Sequence, residues 1–257
     1  MAADLALFPD LRGKHVFITG GGSGIGAGLT KGFLQNEANV TYIQRTNNDN
    51  FCDLAERETG KRPLFVKGDL TDVSVITEAV EKAHDAFGKI DVLINNAAWD
   101  NRHTLDELAV EDWDTLFNIN LRPHFFAAQK IVPDMVASGR GAIINVSSIS
   151  YIMGNSGYPA YASAKAGIVG LTRSLARELG DKNIRVNALV PGWVMTDRQK
   201  ELWVTDEGFR QHIDRQCLKK PIEVSDMVGP ALFLASNISS MITSQALVVD
   251  GGVVMTG

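Results

Sequence analysis

Tyr161 and Lys165 stand four residues apart in the run Tyr161-Ala162-Ser163-Ala164-Lys165. On a helix that spacing puts both side chains on one face, with Cβ atoms about 5–6 Å apart. An ammonium that close favours a phenolate. The spacing therefore predicts a tyrosine pKa drawn below its usual value of about 10, towards that of a working general base. Ser148 lies upstream, just past the apolar run Ala142-Ile143-Ile144-Asn145-Val146. A serine at a strand end and a tyrosine on the following helix meet over the crevice where open α/β sheets bind ligands. Ser148, Tyr161 and Lys165 would together move protons without a metal. The five histidines show no ligand spacing, so no metal site is expected.

These groups need a scaffold. Lys14 to Ile18 reads as a buried parallel strand, followed by Thr19-Gly20-Gly21-Gly22-Ser23-Gly24-Ile25-Gly26 and an amphipathic helix from Ala27 to Asn36. Strand, glycine turn and helix form the context of a dinucleotide site, here spaced Gly-x-x-x-Gly-x-Gly. The helix N-terminus offers unpaired N–H groups and a positive dipole end to phosphates. A second strand, Asn39 to Ile43, ends at Gln44-Arg45 with no acidic residue to accept from a ribose 2′-OH. Arg45 instead offers a fork to a 2′-phosphate, so NADP is expected in preference to NAD, which stays possible.

The third strand, Pro63 to Lys67, leads to Asp69. Asp69 is placed to accept from an adenine amino group or, like Thr71, to cap a helix from about Val73 to Phe87. After the fourth strand, Asp91 to Ile94, Asn95-Asn96-Ala97-Ala98 are suited to hold neighbouring strand ends close to a flat ligand. The loop Trp99-Asp100-Asn101-Arg102-His103 suits a hydroxyl-rich ligand. Trp113 to Ser138 reads as one long helix with Asn120 in its interior and a kink at Pro123. Ile184 to Val190 is a sixth strand, closed by Pro191-Gly192. Residues 193–220, polar and irregular, read as a substrate-covering lid. Ser225 is expected to cap a helix from Asp226 to Ala235, before a last strand at Ala246 to Gly252. Strands alternating with helices over residues 1–257 indicate one three-layer, doubly wound α/β domain.

Composition narrows the function. The chain has 257 residues, a net charge of −5 and no basic block, which argues against nucleic acid or an anionic membrane surface as a partner. No apolar run approaches the roughly 20 residues that span a bilayer. Met1 to Leu5 carries no basic n-region, so no signal peptide is expected. Cys52 and Cys217 lie far apart and read as free thiols in a reducing cytoplasm.

Taken together, Thr19-Gly20-x-x-x-Gly24-Ile25-Gly26, Asp69, Asn95-Asn96-Ala97-Ala98, Asn120, Ser148, Tyr161-x-x-x-Lys165 and Pro191-Gly192 resemble the short-chain dehydrogenase/reductase family over nearly the whole chain. The resemblance implies a Rossmann-like, seven-stranded parallel sheet, a nicotinamide cofactor and a homotetramer. It implies that Tyr161 is the acid or base, that Ser148 orients substrate, that Lys165 holds the nicotinamide ribose and relays protons, and that Asn120 supports a water chain. The cofactor would lie along Gly20, Ser23, Gly24, Ile25, Gly26 and Arg45, then Asp69, Leu70, Asn96 and Ala97, and finally Tyr161, Lys165, Pro191, Gly192, Val194 and Thr196.

The runs Gly20 to Thr30, Asn101-Arg102-His103, Asn120-Leu121-Arg122 and Gln216 to Lys219 are similar to the aldose 1-dehydrogenase branch, whose members oxidise pentoses and 6-deoxyhexoses. That implies oxidation of the C1 hydroxyl of an L-fucose-like sugar or a pentose to the lactone. Trp99, Asn101, Arg102, His103, Ser148, Asn155, Tyr161, Trp193 and Gln199 are the candidate substrate contacts, with Met153 and the two tryptophans packing a C6 methyl. A sugar needs many polar partners because each hydroxyl loses water on binding. The alternative is a carbonyl reductase of the 3-oxoacyl-[acyl-carrier-protein] type, which calls for a basic surface that this acidic chain does not advertise. A nucleotide sensor without turnover is a third reading, opposed by the complete Ser148, Tyr161 and Lys165 set.

Overall fold

The computed structural model describes residues 6–255. Met1 to Leu5, on which the signal-peptide expectation rests, lies outside them. Seven parallel strands form one sheet in the order β3-β2-β1-β4-β5-β6-β7. They are β1 (His15–Thr19), β2 (Asn39–Gln44), β3 (Leu64–Lys67), β4 (Val92–Asn95), β5 (Gly141–Val146), β6 (Ile184–Pro191) and β7 (Ala246–Val249). Each is joined to the next through helical crossovers, as parallel pairing requires. The central strands are apolar on both faces. Val16 and Ile18 pack into one core with Leu29, Phe33 and Leu232, whereas Phe17 between them packs into the other with Ile76, Ile131 and Leu179. This two-sided burial is what a helix-covered parallel sheet demands.

One layer contains α1 (Gly24–Gln35), α2 (Asp49–Thr59) and α10 (Ser225–Ala235); the other contains α3 (Ser74–Phe87), α4 (Val110–Asn120), α5 (Arg122–Ala137) and α7 (Pro159–Leu179). The short α6 (Ser150–Met153) sits between β5 and α7. Two helices, α8 (Asp197–Leu202) and α9 (Asp206–Arg215), lie within residues 193–220 and give this stretch more order than its composition suggests.

The structure corrects three local expectations. The long helix from Trp113 is two helices, broken at Leu121, whose φ of −126° leaves the helical region. Pro123 has no N–H to continue the ladder, and the His124 N–H donates to Leu121 O at 3.1 Å rather than one residue further back. Helix α3 is capped by Asp72, whose Oδ1 accepts from Ser74 N at 2.9 Å; Asp69 bonds Thr71 instead. At α10 the N-terminal bond is made by Asp226, whose carboxylate accepts from Glu223 N at 2.8 Å, and the Ser225 side chain makes no cap bond.

Candidate active site

Strand order reverses between β1 and β4, and there a crevice of about 1210 Å³ opens across the carboxyl ends of the strands. The predicted asparagine pins are present. Asn96 Nδ2 donates to Thr19 O and Gly20 O at 3.1 and 2.9 Å, and Asn95 Nδ2 donates to Asn145 Oδ1 at 2.9 Å. They lock β1, β4 and β5 at the crevice floor.

At one end the glycine turn meets α1. A Cβ on Gly26 would overlap the Gly20 carbonyl oxygen and crowd Asn96 Nδ2, so only glycine lets the helix start this close to the strand end. Gly22 is tethered on both sides, its N–H donating to Gln44 Oε1 at 3.0 Å and its carbonyl accepting from Asn48 Nδ2 at 2.7 Å. Gly20, Ser23, Ile25 and Gly26 line the crevice, and Arg45 stands exposed at its edge. Gly24, at φ +50°, lies beside Thr196 at the margin. Asp69, Leu70, Asn96 and Ala97 form one wall, and Pro191, Gly192, Val194 and Thr196 the other. A glycine cradle with no room for a Cβ, the open N-terminus of a 12-residue helix and a guanidinium at the rim fit a dinucleotide.

At the other end α7 presents Tyr161 and Lys165, with Nζ 5.5 Å from the ring centroid. Lys165 is 1% exposed, and its ammonium donates to Val146 O at 3.0 Å. Ser147 anchors the helix by donating to Lys165 O at 2.7 Å, which leaves the next residue, Ser148, facing the crevice.

The electrostatics reverse the expected direction for Tyr161. The ring keeps some surface towards the crevice, yet burial among dense protein pushes the phenol above its ordinary value, and the Asp100 carboxylate pushes the same way. The Ser148 hydroxyl opposes them. Lys165 cannot supply the acidifying charge in full, because burial pushes its own amine down to about 7, with Asp100 holding it up. Desolvation outweighs the neighbouring charge for both groups.

Asn120 does not line the crevice. It is fully buried, and its Oδ1 accepts from Trp99 N while Nδ2 donates to Trp99 O and Leu116 O, each at 2.9 Å. It clamps the loop that carries Trp99 and Asp100.

Two substrate candidates are displaced. His103 turns inward: Nδ1 lies 3.1 Å from Asn101 O, Nε2 accepts from Ala160 N at 3.3 Å, and the backbone N–H of His103 donates to Gly157 O. Asn101 likewise stays outside the lining. His103 serves loop-to-loop packing, which its polar side chain alone did not reveal, and the Asn101 carbonyl faces it within the same loop.

Trp99, Arg102, Asn155, Trp193 and Gln199 do line the crevice. Trp193 Nε1 donates to Gln199 Oε1 at 2.8 Å, and Gln199 Nε2 donates to Asp100 Oδ2 at 2.5 Å. Arg198 pairs with Asp100 at 3.3 Å. This chain ties residues 193–199 to the β4 loop across this end of the crevice. Trp203, under the Arg102 guanidinium at 4.3 Å, and His212, edge-on to Trp193 at 5.2 Å, also line this end. Trp203 was detectable as a second tryptophan in the polar stretch; nothing local marked His212.

A family model described as enoyl-(acyl carrier protein) reductase matches residues 20–254. The probable galactose dehydrogenase GalD of Rhizobium meliloti is 44% identical over 96% of this chain and 97% of its own length. The D-xylose 1-dehydrogenase of Caulobacter vibrioides is 43% identical over 96% and 98%. A 3-oxoacyl-[acyl-carrier-protein] reductase of Thermotoga maritima follows at 40%, over 95% and 99%. A crystal structure named as an NAD(P)-dependent gluconate 5-dehydrogenase of Beutenbergia cavernae, with bound NADP, superposes with a TM-score of 0.89 at 33% identity, covering 95% of this chain and 98% of that one. Fold, site and relatives agree, and the chain belongs to the short-chain dehydrogenase/reductase family of oxidoreductases.

Proposed function

We propose that this protein is an NADP-preferring sugar dehydrogenase that oxidises the C1 hydroxyl of an aldopyranose to the lactone. The observation that carries the reading is the single crevice joining the glycine turn and Arg45 to Tyr161, Ser148 and a polar, tryptophan-lined end. The galactose and xylose dehydrogenases among its relatives support an aldose substrate. Asp100, Gln199, Arg102 and Asn155 supply partners for sugar hydroxyls, and Trp99, Trp193 and Met153 supply apolar faces for an L-fucose-like 6-deoxyhexose or a pentose.

Oxidised nicotinamide, when bound, supplies the hydride acceptor and a positive charge that favours the phenolate of Tyr161. Ser148 donates to the reacting oxygen and holds it beside the phenol. Tyr161 takes the hydroxyl proton as the C1 carbonyl forms. Lys165, buried and fixed on Val146 O, holds the ribose and passes protons on. Arg45 meets the 2′-phosphate. Residues 193–220 close over the sugar, with Gln199 and Asp100 as the fastening. In the same reading the protein is a cytoplasmic homotetramer, with the exposed Trp113 and Phe125 of α4 and α5 covered by another copy. The test is NAD(P)H formation with a panel of aldoses and both cofactors. Turnover of aldoses with NADP supports the reading. Reduction of 3-oxoacyl thioesters with no aldose oxidation overturns it.

A further inference from the structure

The crevice wall that follows β6 carries two buried nitrogens without a hydrogen-bond partner among the described residues, Trp203 Nε1 and His212 Nε2. Trp203 comes directly after α8, and His212 lies in α9. Both residues line the crevice. The period of α9 explains how His212 reaches it. Gly208, Gln211, His212 and Arg215 all line the crevice, and at steps of three and four residues they share one face of the helix.

Both rings are held in place without using these nitrogens. The Arg102 guanidinium, on the loop after β4, lies over the Trp203 indole at 4.3 Å, a cation–π contact. The Trp193 ring, just past β6, meets His212 edge-on at 5.2 Å. Trp193 is itself fixed, because its Nε1 donates to Gln199 Oε1 and Gln199 Nε2 donates to Asp100 Oδ2. The polar groups at this end therefore fall into two sets. Trp193, Gln199, Asp100 and Arg198 bond one another, whereas Trp203 and His212 are positioned by ring contacts alone.

Native proteins leave few buried polar atoms unpaired. An indole N–H only donates, while a neutral imidazole donates at one nitrogen and accepts at the other. Burial and the Arg215 charge lower the His212 pKa against a smaller opposing pull from Asp250, so the ring is neutral near pH 7. A fixed donor and a neutral imidazole suit hydroxyls, each of which donates and accepts, and give an alkyl chain no partner. Ser148 and Tyr161 stand on the β5 and α7 side of the crevice, and Trp203 and His212 on the wall after β6.

We propose that Trp203 Nε1 and His212 Nε2 are the specificity-determining contacts of the aldose site, pairing with ring hydroxyls away from the reacting C1, at C3 and C4. The proposal rests on the aldose reading of the crevice and adds which hydroxyls are selected and by which atoms. Each pair forms where water is excluded, so a sugar lacking the hydroxyl leaves a buried nitrogen unpaired. A site built to bond a hydroxyl rejects the analogue without it by up to about 10⁴–10⁵-fold, where an apolar pocket reaches only about 10–200-fold.

The binding arm of the test uses Tyr161→Phe protein loaded with NADP, so that sugar binds without turnover. Its indole ¹⁵N–H signals are recorded with and without L-fucose and D-xylose, and Trp203→Phe in the same background assigns the Trp203 signal. The expected result is a shift of that signal on adding a sugar that wild type oxidises. An unmoved Trp203 signal overturns the proposal. The kinetic arm compares kcat/KM of wild type, Trp203→Phe, His212→Leu and His212→Gln on the same aldoses and their 3-deoxy and 4-deoxy forms. Wild type should lose about 10²-fold or more on at least one deoxy form. Trp203→Phe or His212→Leu should lose a comparable factor on the parent sugar and little more on that deoxy form, with cofactor Kd unmoved. His212→Gln keeps a hydrogen-bonding amide and should recover part of the loss. Equal losses on parent and deoxy sugars in both variants indicate a structural role and overturn the proposal. If one variant fails to fold, the other and the binding arm decide. Failure of this kind leaves aldose turnover by wild type intact, whereas a protein that oxidises no aldose refutes the underlying reading and this proposal together.

Discussion

Replacing Lys165 with methionine should stabilise the cofactor-free protein near neutrality while destroying its activity. Burial carries the Lys165 amine from 10.5 down to about 7. The folded value lies below the unfolded one, so between about pH 7 and 10.5 the unfolded chain binds more protons, and wild-type stability rises with pH across that window. At about 1.4 kcal/mol per unit, the buried lysine costs about 4 kcal/mol at pH 7 and about 2 kcal/mol at pH 9. Methionine removes this term but orphans the carbonyl of Val146, a loss of about 1–3 kcal/mol. The variant should therefore exceed wild type by about 1–3 kcal/mol at pH 7 and lose about 2 kcal/mol of that lead by pH 9. Stopping at pH 9 keeps Tyr161, raised by burial, largely untitrated in both states. Urea unfolding of both proteins at pH 7, 8 and 9 measures the difference directly. Parallel stability curves across that range would show that Lys165 does not carry a buried, depressed amine, and the electrostatic account of the site would fall. Turnover should disappear in the same variant, the trade-off expected of a residue kept for chemistry rather than stability.

Tyr161→Phe removes one oxygen and should lower kcat by about 10²–10⁴-fold with cofactor Kd preserved; near-normal turnover refutes its role as acid or base. Arg45→Ala should weaken NADP by about tenfold or more, through loss of a charge-assisted fork, and leave NAD untouched, as read by fluorescence titration. An equal loss for both cofactors removes the phosphate from the argument. Asp100→Asn replaces the carboxylate that accepts from Gln199 and Arg198. It should raise the sugar KM by about tenfold as those charge-assisted bonds weaken. A changed cofactor Kd with unchanged KM would place Asp100 outside the substrate end.

Much of this protein is written in short-range pattern. The turn from Gly20 to Gly26, the face shared by Tyr161 and Lys165 and the two-sided apolar strands each depend on neighbours within a few residues, where spacing and conformation are tightly coupled. What the linear chain could not decide were balances between distant parts. Adjacency predicted a phenol acidified by its lysine, but the dense packing of β4, β5 and α7 around both groups makes desolvation the larger effect. His103 looked like a ligand contact until the loop around Gly157 and the start of α7 at Ala160 claimed it. The chain predicts one helix from Trp113 to Ser138 with a kink at Pro123, but in the fold it breaks at Leu121 into α4 and α5. Local geometry is set by bonds and sterics that a sequence carries with it; burial and pairing are set by which surfaces meet, and that is decided by the whole fold.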